Sequence, residues 1–302
     1  MSQQRKKAYI QLHIAVLLFG FTAILGKLIL LNESSLVWHR LWISVGGLIF
    51  LRGTITGIKN LSKQDLLRFS GIGCLVILHW LTFYGSIKIG NSASIALACL
   101  STTTLFTSIL EPIITRSKFN KIEILLGLFV IVGIYFVSQV GAFYYLAIIV
   151  GLISAFFASL FSTLNKKYIA NHNTLSVSVV ELSVGWLFLT IIMFFRGNLV
   201  WSTMIPSNSD WLYLFILGLL CTSVAFALSL EALKQLSAFV SNLSITLEPV
   251  YGIILAVVLL HEDSQLNTKF YIGTAILLLA VALHPFLTQW DEKRKRRIRI
   301  PH

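Results

Sequence analysis

The apolar runs of the sequence constrain its fold most strongly. Windows of about 20 residues, the length that carries a helix across roughly 30 Å of hydrocarbon, recur along nearly the whole chain. They cover residues 8–31, 35–58, 66–88, 91–115, 120–139, 142–165, 174–195, 210–233, 236–260 and 267–290. Because every backbone polar group in lipid must be paired internally, such windows predict helices. The sequence therefore predicts an all-α membrane protein with ten transmembrane helices.

Composition and cysteine spacing narrow the class further. Of 302 residues, 56% are hydrophobic and 12% are charged, which leaves too little polar surface to cover a soluble globule. The cysteines Cys74, Cys99 and Cys221 lie inside apolar runs without the spacing of a metal site or a disulfide. The first window lacks a small-residue cleavage site and is interpreted as a retained helix. We expect no cofactor and no metal.

The basic residues orient the predicted bundle. The net charge is +12, and most Lys and Arg residues lie before helix 1, in the 2–3, 4–5, 6–7 and 8–9 loops, and in the KRKRRIR tail. These loops share one side, so the positive-inside rule predicts cytoplasmic N- and C-termini in a bacterial plasma (inner) membrane. A basic tail over residues 291–302 suits an anionic lipid leaflet. The charge therefore predicts the lipid bilayer as a partner, and no nucleic acid.

A register shift reveals an internal repeat. Sliding the sequence by 146 residues pairs Leu66 with Leu212, Phe69 with Phe215, Lys88 with Lys234, Leu97 with Leu243 and Gly127 with Gly273. The shift relates a first unit, residues 1–140, to a second unit, residues 141–290. Because each unit holds five helices, an odd number, the second enters the membrane from the opposite side. Inverted repeats of this kind build transporters.

Two copies of the tripeptide LEP place glutamates at different depths. Glu248 lies near the middle of window 236–260, where a charge costs about 2.5–3.5 kcal/mol. It is predicted to carry a coupling proton, to bind a substrate ammonium group, or to hydrogen-bond a neighbouring helix. Pro249 would leave the Ile245 carbonyl without its helical donor and favour a kink that serves gating. Glu111, near the cytoplasmic end of helix 4, is either an interfacial carboxylate paired with Arg116 or a cytoplasmic gate.

The stretch QLSAFVSNLSITLEPVYGIILAVVLLHE, Gln235 to Glu262, resembles the second-repeat signature of the EamA family in the drug/metabolite transporter superfamily. The segment WHRLWISVGGL in helix 2 adds Arg40, which matches the family's arginine near the start of that helix. The resemblance implies ten helices in a 5+5 inverted repeat and the export of amino acids, other metabolites or drugs. The first repeat departs from the pattern, since Thr103 or Thr104 stands where proline is usual. No glutamate closes helix 4 at the family's position.

Polar stripes on helices 4 and 9 predict a solute path. Ser241, Ser244, Glu248 and Tyr251 recur at three- and four-residue steps on helix 9, and Ser101 and Thr104 do so on helix 4. Repeat-equivalent helices would face each other across the pseudo-two-fold axis, where such proteins bind solute. The alternative is that these hydroxyls join helices or return to their own backbone.

Further candidates lie on helices 2, 3 and 7. Trp80, Tyr84 and Lys88 share one face of helix 3; the aromatic pair suits an amphipathic solute, or simple packing, and Lys88 is grouped with the gating residues. Arg40 and Glu181 could each bind one end of a zwitterion or form a structural ion pair. Arg40 is also a candidate coupling or gating residue.

These features predict a secondary transporter that moves small organic metabolites, amino-acid-like or otherwise amphipathic, by alternating access, and the family resemblance implies export as the direction. The chain carries no G-x-x-x-x-G-K-[ST] motif and no H-E-x-x-H motif, so we expect no enzyme activity. The alternative is a membrane-embedded lipid-modifying enzyme, which would gather several titratable groups at one interface. A homodimer is left open.

Overall fold

The computed structural model describes residues 3–245 and 247–298, and each of the ten predicted windows falls on helix there. We label the helical segments α1 to α10 in chain order. They are α1 (Gln3–Gly20 and Thr22–Leu28), α2 (Glu33–Ile49), α3 (Lys63–Gly90), α4 (Ala93–Leu100 and Thr103–Thr115), α5 (Lys121–Ser138), α6 (Tyr145–Tyr168), α7 (Thr174–Phe195), α8 (Asn208–Phe215, Ile216–Val224 and Ala225–Leu233), α9 (Ala238–Ile245 and Leu247–Leu260) and α10 (Thr268–Ile298).

Six of these segments in the described part of the chain are long and apolar enough to cross a membrane, namely α1, α3, α4, α6, α7 and α8. The continuously apolar parts of α5, α9 and α10 are shorter, at Ile124–Ser138, Leu247–Leu260 and Thr268–Ala280. The predicted window 35–58 is wrong at its end, because α2 stops at Ile49. Gly53 then adopts a left-handed turn, with φ of 88°, and a short helix, Thr54–Lys59, follows.

Helix α4 is interrupted at Ser101–Thr102, a feature that the sequence prediction missed. The threonine hydroxyls at this point bond carbonyls three residues earlier: Thr102 donates to Cys99 at 2.7 Å and Thr103 to Leu100 at 2.7 Å. Such side-chain bonds satisfy carbonyls that an interrupted helix leaves without donors. Pro112, in contrast, lies inside the second part of α4 without ending it. The kink predicted at the Ile245 carbonyl from Pro249 adjoins residue 246, which lies outside the described residues, so it stays a prediction.

The middle of α8, Ile216–Val224, is a π-helix. Thr222 donates its hydroxyl proton to the carbonyl of Leu217, five residues earlier, at 2.6 Å, and Ser223 does the same to Gly218 at 3.0 Å. Gly218 also meets α2, where Ser44 donates to its carbonyl at 2.9 Å. Short π-segments inside helices concentrate at functional sites, and this one positions Thr222.

The helices pack in matching pairs. Helix α1 packs on α8 as α6 packs on α3, and α2 packs on α8 as α7 packs on α3. Helices α2 and α7, α4 and α9, and α5 and α10 also pack on each other. The described residues of the α5–α10 pair do not line the cavity described next.

Candidate solute-binding site

A cavity of about 80 Å³ lies where α1, α2, α3, α4, α6, α8 and α9 converge. This space holds only a few water molecules, since one water occupies about 30 Å³ in the liquid. Aromatic side chains of Trp80, Phe83 and Phe161 form much of its wall, and Arg40 and Glu248 supply its two charged groups. An apolar wall with a few polar groups is the usual form of a site for a small organic ligand.

Arg40 is held in the cavity wall by aromatic and hydroxyl partners. It is 2% exposed. Its Nε donates to Thr222 Oγ1 at 2.6 Å and its Nη1 to the hydroxyl of Tyr84 at 2.7 Å. The guanidinium carbon lies 3.8 Å from the centroid of Trp80, a cation–π contact. The guanidinium carries five N–H donors, so three remain beyond these two hydrogen bonds for a ligand.

Glu248 lies in the same cavity wall, on the second part of α9. It is 4% exposed, and Thr22 of α1 donates to its Oε1 at 3.4 Å. The backbones of α1 and α9 approach closely here, because a Cβ added to Gly252 would lie 3.3 Å from the carbonyl oxygen of Gly20. One long hydrogen bond leaves most of the carboxyl's acceptor capacity open to a ligand.

Three of the predicted substrate-binding residues, Trp80, Ser241 and Glu248, line the cavity together with Arg40. The Ser241 hydroxyl is buried and has no hydrogen-bond partner among the described residues. Tyr84 reaches the site indirectly, through its bond to Arg40. The cavity wall also contains Thr103 and His79, which were not among the predicted site residues.

The other predicted site residues lie elsewhere in this conformation. The hydroxyls of Ser101, Thr104 and Ser244 donate to carbonyls of their own helices, at 3.4, 3.1 and 3.1 Å. Tyr251 is 41% exposed on the outer side of α9. Glu181 is fully buried and bonded to Asn165 of α6, so it does not pair with Arg40. Lys88 donates to the carbonyl of Ile29, which joins α3 to the end of α1.

Glu111 binds the start of α9. Its two carboxylate oxygens accept hydrogen bonds from the backbone N–H groups of Ala238, at 3.0 Å, and Phe239, at 2.6 Å. The first N–H groups of a helix lack intrahelical partners, and a carboxylate there also meets the positive end of the helix dipole. Glu111 is therefore a carboxylate cap that ties the last turn of α4 to the first turn of α9.

Glu262 makes the reciprocal contact at the other end of the same helix pair. It follows α9, and it accepts from the backbone N–H groups of Ala93 and Ser94, at 2.9 and 3.1 Å, where α4 begins. Ser92 adds a hydroxyl bond at 2.9 Å, and Lys27 of α1 adds an ion pair at 2.8 Å. Burial alone raises the pKa of this carboxyl, but the bonds from Lys27, Ser94 and Ala93 together hold it below its usual value.

The paired caps revise the sequence interpretation of helix 4. No glutamate stands at the family's closing position there, yet Glu111 performs at α9 the contact that Glu262 performs at α4. The separation between Glu111 and Glu262 differs from the 146-residue register, so sliding the sequence could not relate them. The ion pair between Lys27 and Glu262 has no counterpart among the contacts described here for Glu111.

The fold and the site together define a polytopic α-helical membrane protein with a mostly apolar cavity that holds one guanidinium group and one carboxyl group. The model of the EamA-like transporter family matches residues 6–139 and 145–284. The chain therefore belongs to the EamA-like transporter family, and it is an integral membrane transporter.

Several relatives of the chain are also described as transporters. An uncharacterized transporter of Clostridium kluyveri is 21% identical over 91% of this chain and 91% of its own. The uncharacterized transporter YetK of Bacillus subtilis is 24% identical over 90% of this chain and 84% of its own. GDP-fucose transporter 1 of Dictyostelium discoideum is 26% identical over 59% of this chain and 49% of its own. One crystal structure superimposes with a TM-score of 0.72 at 17% identity, covering 95% of this chain and 99% of that chain, which shows the fold alone.

Proposed function

We propose that this transporter exports a small organic metabolite that carries an anionic group and a cationic or proton-donating group, such as an amino-acid-like solute. The observation that carries the proposal is that Arg40 and Glu248 line one cavity with aromatic walls. A lone carboxylate and a lone guanidinium are not needed for packing, and ionisable groups within a membrane usually mark a solute or ion path.

Each charged group has a defined task in this proposal. The free donors of Arg40 bind the anionic group of the solute, and Trp80 and Tyr84 fix the guanidinium plane. Glu248 binds the solute's ammonium group, or carries a proton that is exchanged for solute. The unpartnered hydroxyl of Ser241 supplies a further polar contact.

Transport proceeds in this proposal by alternating access of two inverted five-helix repeats, residues 1–140 and 141–290, which together cross the membrane ten times. The reciprocal packing of α1 on α8 and of α6 on α3 supports the repeat. The cavity of about 80 Å³ is much smaller than the several hundred Å³ of typical ligand pockets. The walls must therefore separate to admit a metabolite, and the caps at Glu111 and Glu262 are the contacts that would open and close. Pro249 and Lys88 stay candidate gating residues.

The remaining details of the proposal rest on sequence. The loop distribution of Lys and Arg favours cytoplasmic termini in a bacterial inner membrane, and the basic residues 291–302 would contact anionic lipid instead of nucleic acid. The transporter names of the family and its relatives do not favour the lipid-modifying enzyme, and we propose that the chain is no enzyme. A homodimer stays a prediction.

Profiling of the culture medium tests the proposed function. Cells that overproduce the wild-type chain should accumulate one or a few zwitterionic or amphipathic metabolites outside the cell. Cells that produce equal amounts of Glu248→Gln should not, because glutamine keeps the side-chain size but neither binds ammonium as a carboxylate nor exchanges a proton. Equal extracellular metabolites in wild-type, Glu248→Gln and empty-vector cells would contradict the proposal.

A further inference from the structure

A second buried carboxyl lies apart from the cavity, on α7. Glu181 and its neighbour Asn165 of α6 are both 0% exposed. The amide Nδ2 of Asn165 donates to Glu181 Oε2 at 3.3 Å. The second carboxyl oxygen, Glu181 Oε1, and the amide oxygen, Asn165 Oδ1, have no hydrogen-bond partner among the described residues. Two adjoining buried acceptors without donors need an explanation, since nearly all buried polar groups in proteins are paired.

Nearby charged groups do not supply the missing donors. On the helices packed against α7, Arg40 bonds Thr222 and Tyr84, His79 bonds Ser154, Arg68 pairs with Asp65, and Glu231 pairs with Lys234. On α6, Lys166 and Lys167 donate to the carbonyls of Leu233 and Ile114. Cys74, half-buried on α3, is a free cysteine. Asn165 is the one side chain that these contacts assign to Glu181 in the described part of the chain.

An ionised Glu181 would be costly in this environment. An unpaired buried carboxylate loses its hydration without a compensating partner, a penalty of several kcal/mol. The backbones of α3 and α7 pack directly against each other here, because a Cβ at Gly73 would overlap the backbone oxygen of Glu181. The local packing therefore favours a neutral side chain.

A proton on Glu181 supplies a donor that the Asn165 oxygen lacks. Protonation removes the charge and converts one carboxyl oxygen into a donor. If the Asn165 amide is turned over, which exchanges its oxygen and nitrogen in place, the carboxyl proton is donated to Oδ1 along the existing 3.3 Å contact. A hard metal ion fits less well, since such ions take about six oxygen ligands or more and these two side chains offer two free oxygens.

The pair also lies close to the solute path. Ser162 lines the cavity, and Asn165 follows it by three residues, so the two share one face of α6 one turn apart. A proton could reach Glu181 through this turn when the cavity fills with water.

We propose that Glu181 and Asn165 form a proton-binding site, separate from Glu248, that is occupied in the conformation described. Protonation is thus a second charge-neutralising event within the helical bundle, one turn from the cavity. Its coupling to solute movement rests on the proposed function, whereas its occupancy by a proton does not.

Infrared spectroscopy of the purified full-length protein in liposomes at pH 7 tests the occupancy. The wild-type minus Glu181→Gln difference spectrum should show the loss of one carbonyl band of a protonated carboxyl group. Glu248→Gln serves as the matched control and should retain that band. Asn165→Ser leaves Glu181 in place and should shift the band, because the carboxyl loses its amide partner; this variant keeps the test valid if Glu181→Gln does not fold.

Two results would overturn the proposal of a proton site at Glu181. A difference spectrum that contains only carboxylate bands would show that Glu181 is ionised at neutral pH. Loss of the wild-type band when sodium chloride replaces choline chloride at fixed pH would show a sodium site instead. A retained band together with an unchanged culture medium would leave the proton site standing and count against the transport proposal alone.

Discussion

Replacing Arg40 by alanine should reduce the rate of solute efflux by about 10- to 100-fold. A hydrogen bond to a charged group contributes about 1.5–3 kcal/mol, and 1.4 kcal/mol corresponds to a factor of ten. Arg40→Lys should retain part of the rate, since lysine keeps the charge but not the flat, forked donor set that stacks on Trp80. Efflux of the metabolite identified by profiling, divided by the amount of folded protein, measures both variants.

A matched control separates binding from stability in this experiment. Arg196 is exposed beyond the end of α7, so Arg196→Ala should transport like the wild type. If Arg40 only holds helices together, Arg40→Ala would lower the yield of folded protein and leave the rate per folded molecule within about twofold of wild type. That outcome would remove Arg40 from the binding site.

Replacing Glu262 by alanine should cause the largest loss of stability among the caps. It leaves Lys27 and two helix N–H groups without their acceptor, and breaking a buried ion pair costs about 3–5 kcal/mol. Glu111→Ala removes the two N–H bonds at the start of α9, and losing a helix cap costs about 0.5–2 kcal/mol, so we expect a smaller loss. Both variants should also transport more slowly. Thermal unfolding followed by tryptophan fluorescence measures how much stability each variant loses.

The pH dependence of unfolding identifies the Glu262 cap specifically. Because the pKa of Glu262 is held below its usual value by its hydrogen bonds, its contribution to stability is complete above the usual carboxyl range of about 4.3. The contribution is lost as the pH falls through the lowered pKa. The Glu262→Ala variant should lack this acid-dependent part of the unfolding free energy. Glu231→Ala is the control, since Glu231 is 41% exposed in its pair with Lys234 and such pairs contribute little. Equal unfolding temperatures for Glu262→Ala and Glu231→Ala would contradict a stabilising cap.

Much of the fold could be predicted, because membrane helices can be recognised from the length and hydropathy of apolar runs. Each of the ten windows, from 8–31 to 267–290, overlaps a described helix, and six of these helices are long and apolar enough to cross a membrane. Features that depend on tertiary contact could not be predicted in this way. The end of α2 at Ile49, the π-segment of α8 and the interruption of α4 are set by turn geometry or by hydroxyl-to-carbonyl bonds, which a hydropathy window of about 20 residues does not resolve.

The site was predictable in part for a related reason. Intramembrane charge is costly, so Arg40 and Glu248 could be selected singly from the sequence, and the structure brings both to one cavity. Spacing along a helix assigns a face but does not say what covers that face. Ser101, Thr104 and Ser244 share the predicted stripes, yet they bond their own backbones in this conformation. Thr222 was not selected, because its bond to Arg40 depends on the π-segment.

Reactivity of a single cysteine at Ser241 tests alternating access through this cavity most directly. Ser241 is 1% exposed in the conformation described, and Ser241→Cys would be placed in a chain whose Cys74, Cys99 and Cys221 are replaced by alanine. In membrane vesicles of known orientation, an impermeant thiol reagent should modify this cysteine slowly from either side of the membrane. The metabolite identified by profiling should slow both reactions. Modification from one side only, or at a rate that the metabolite does not change, would contradict a cavity that opens alternately to the two sides.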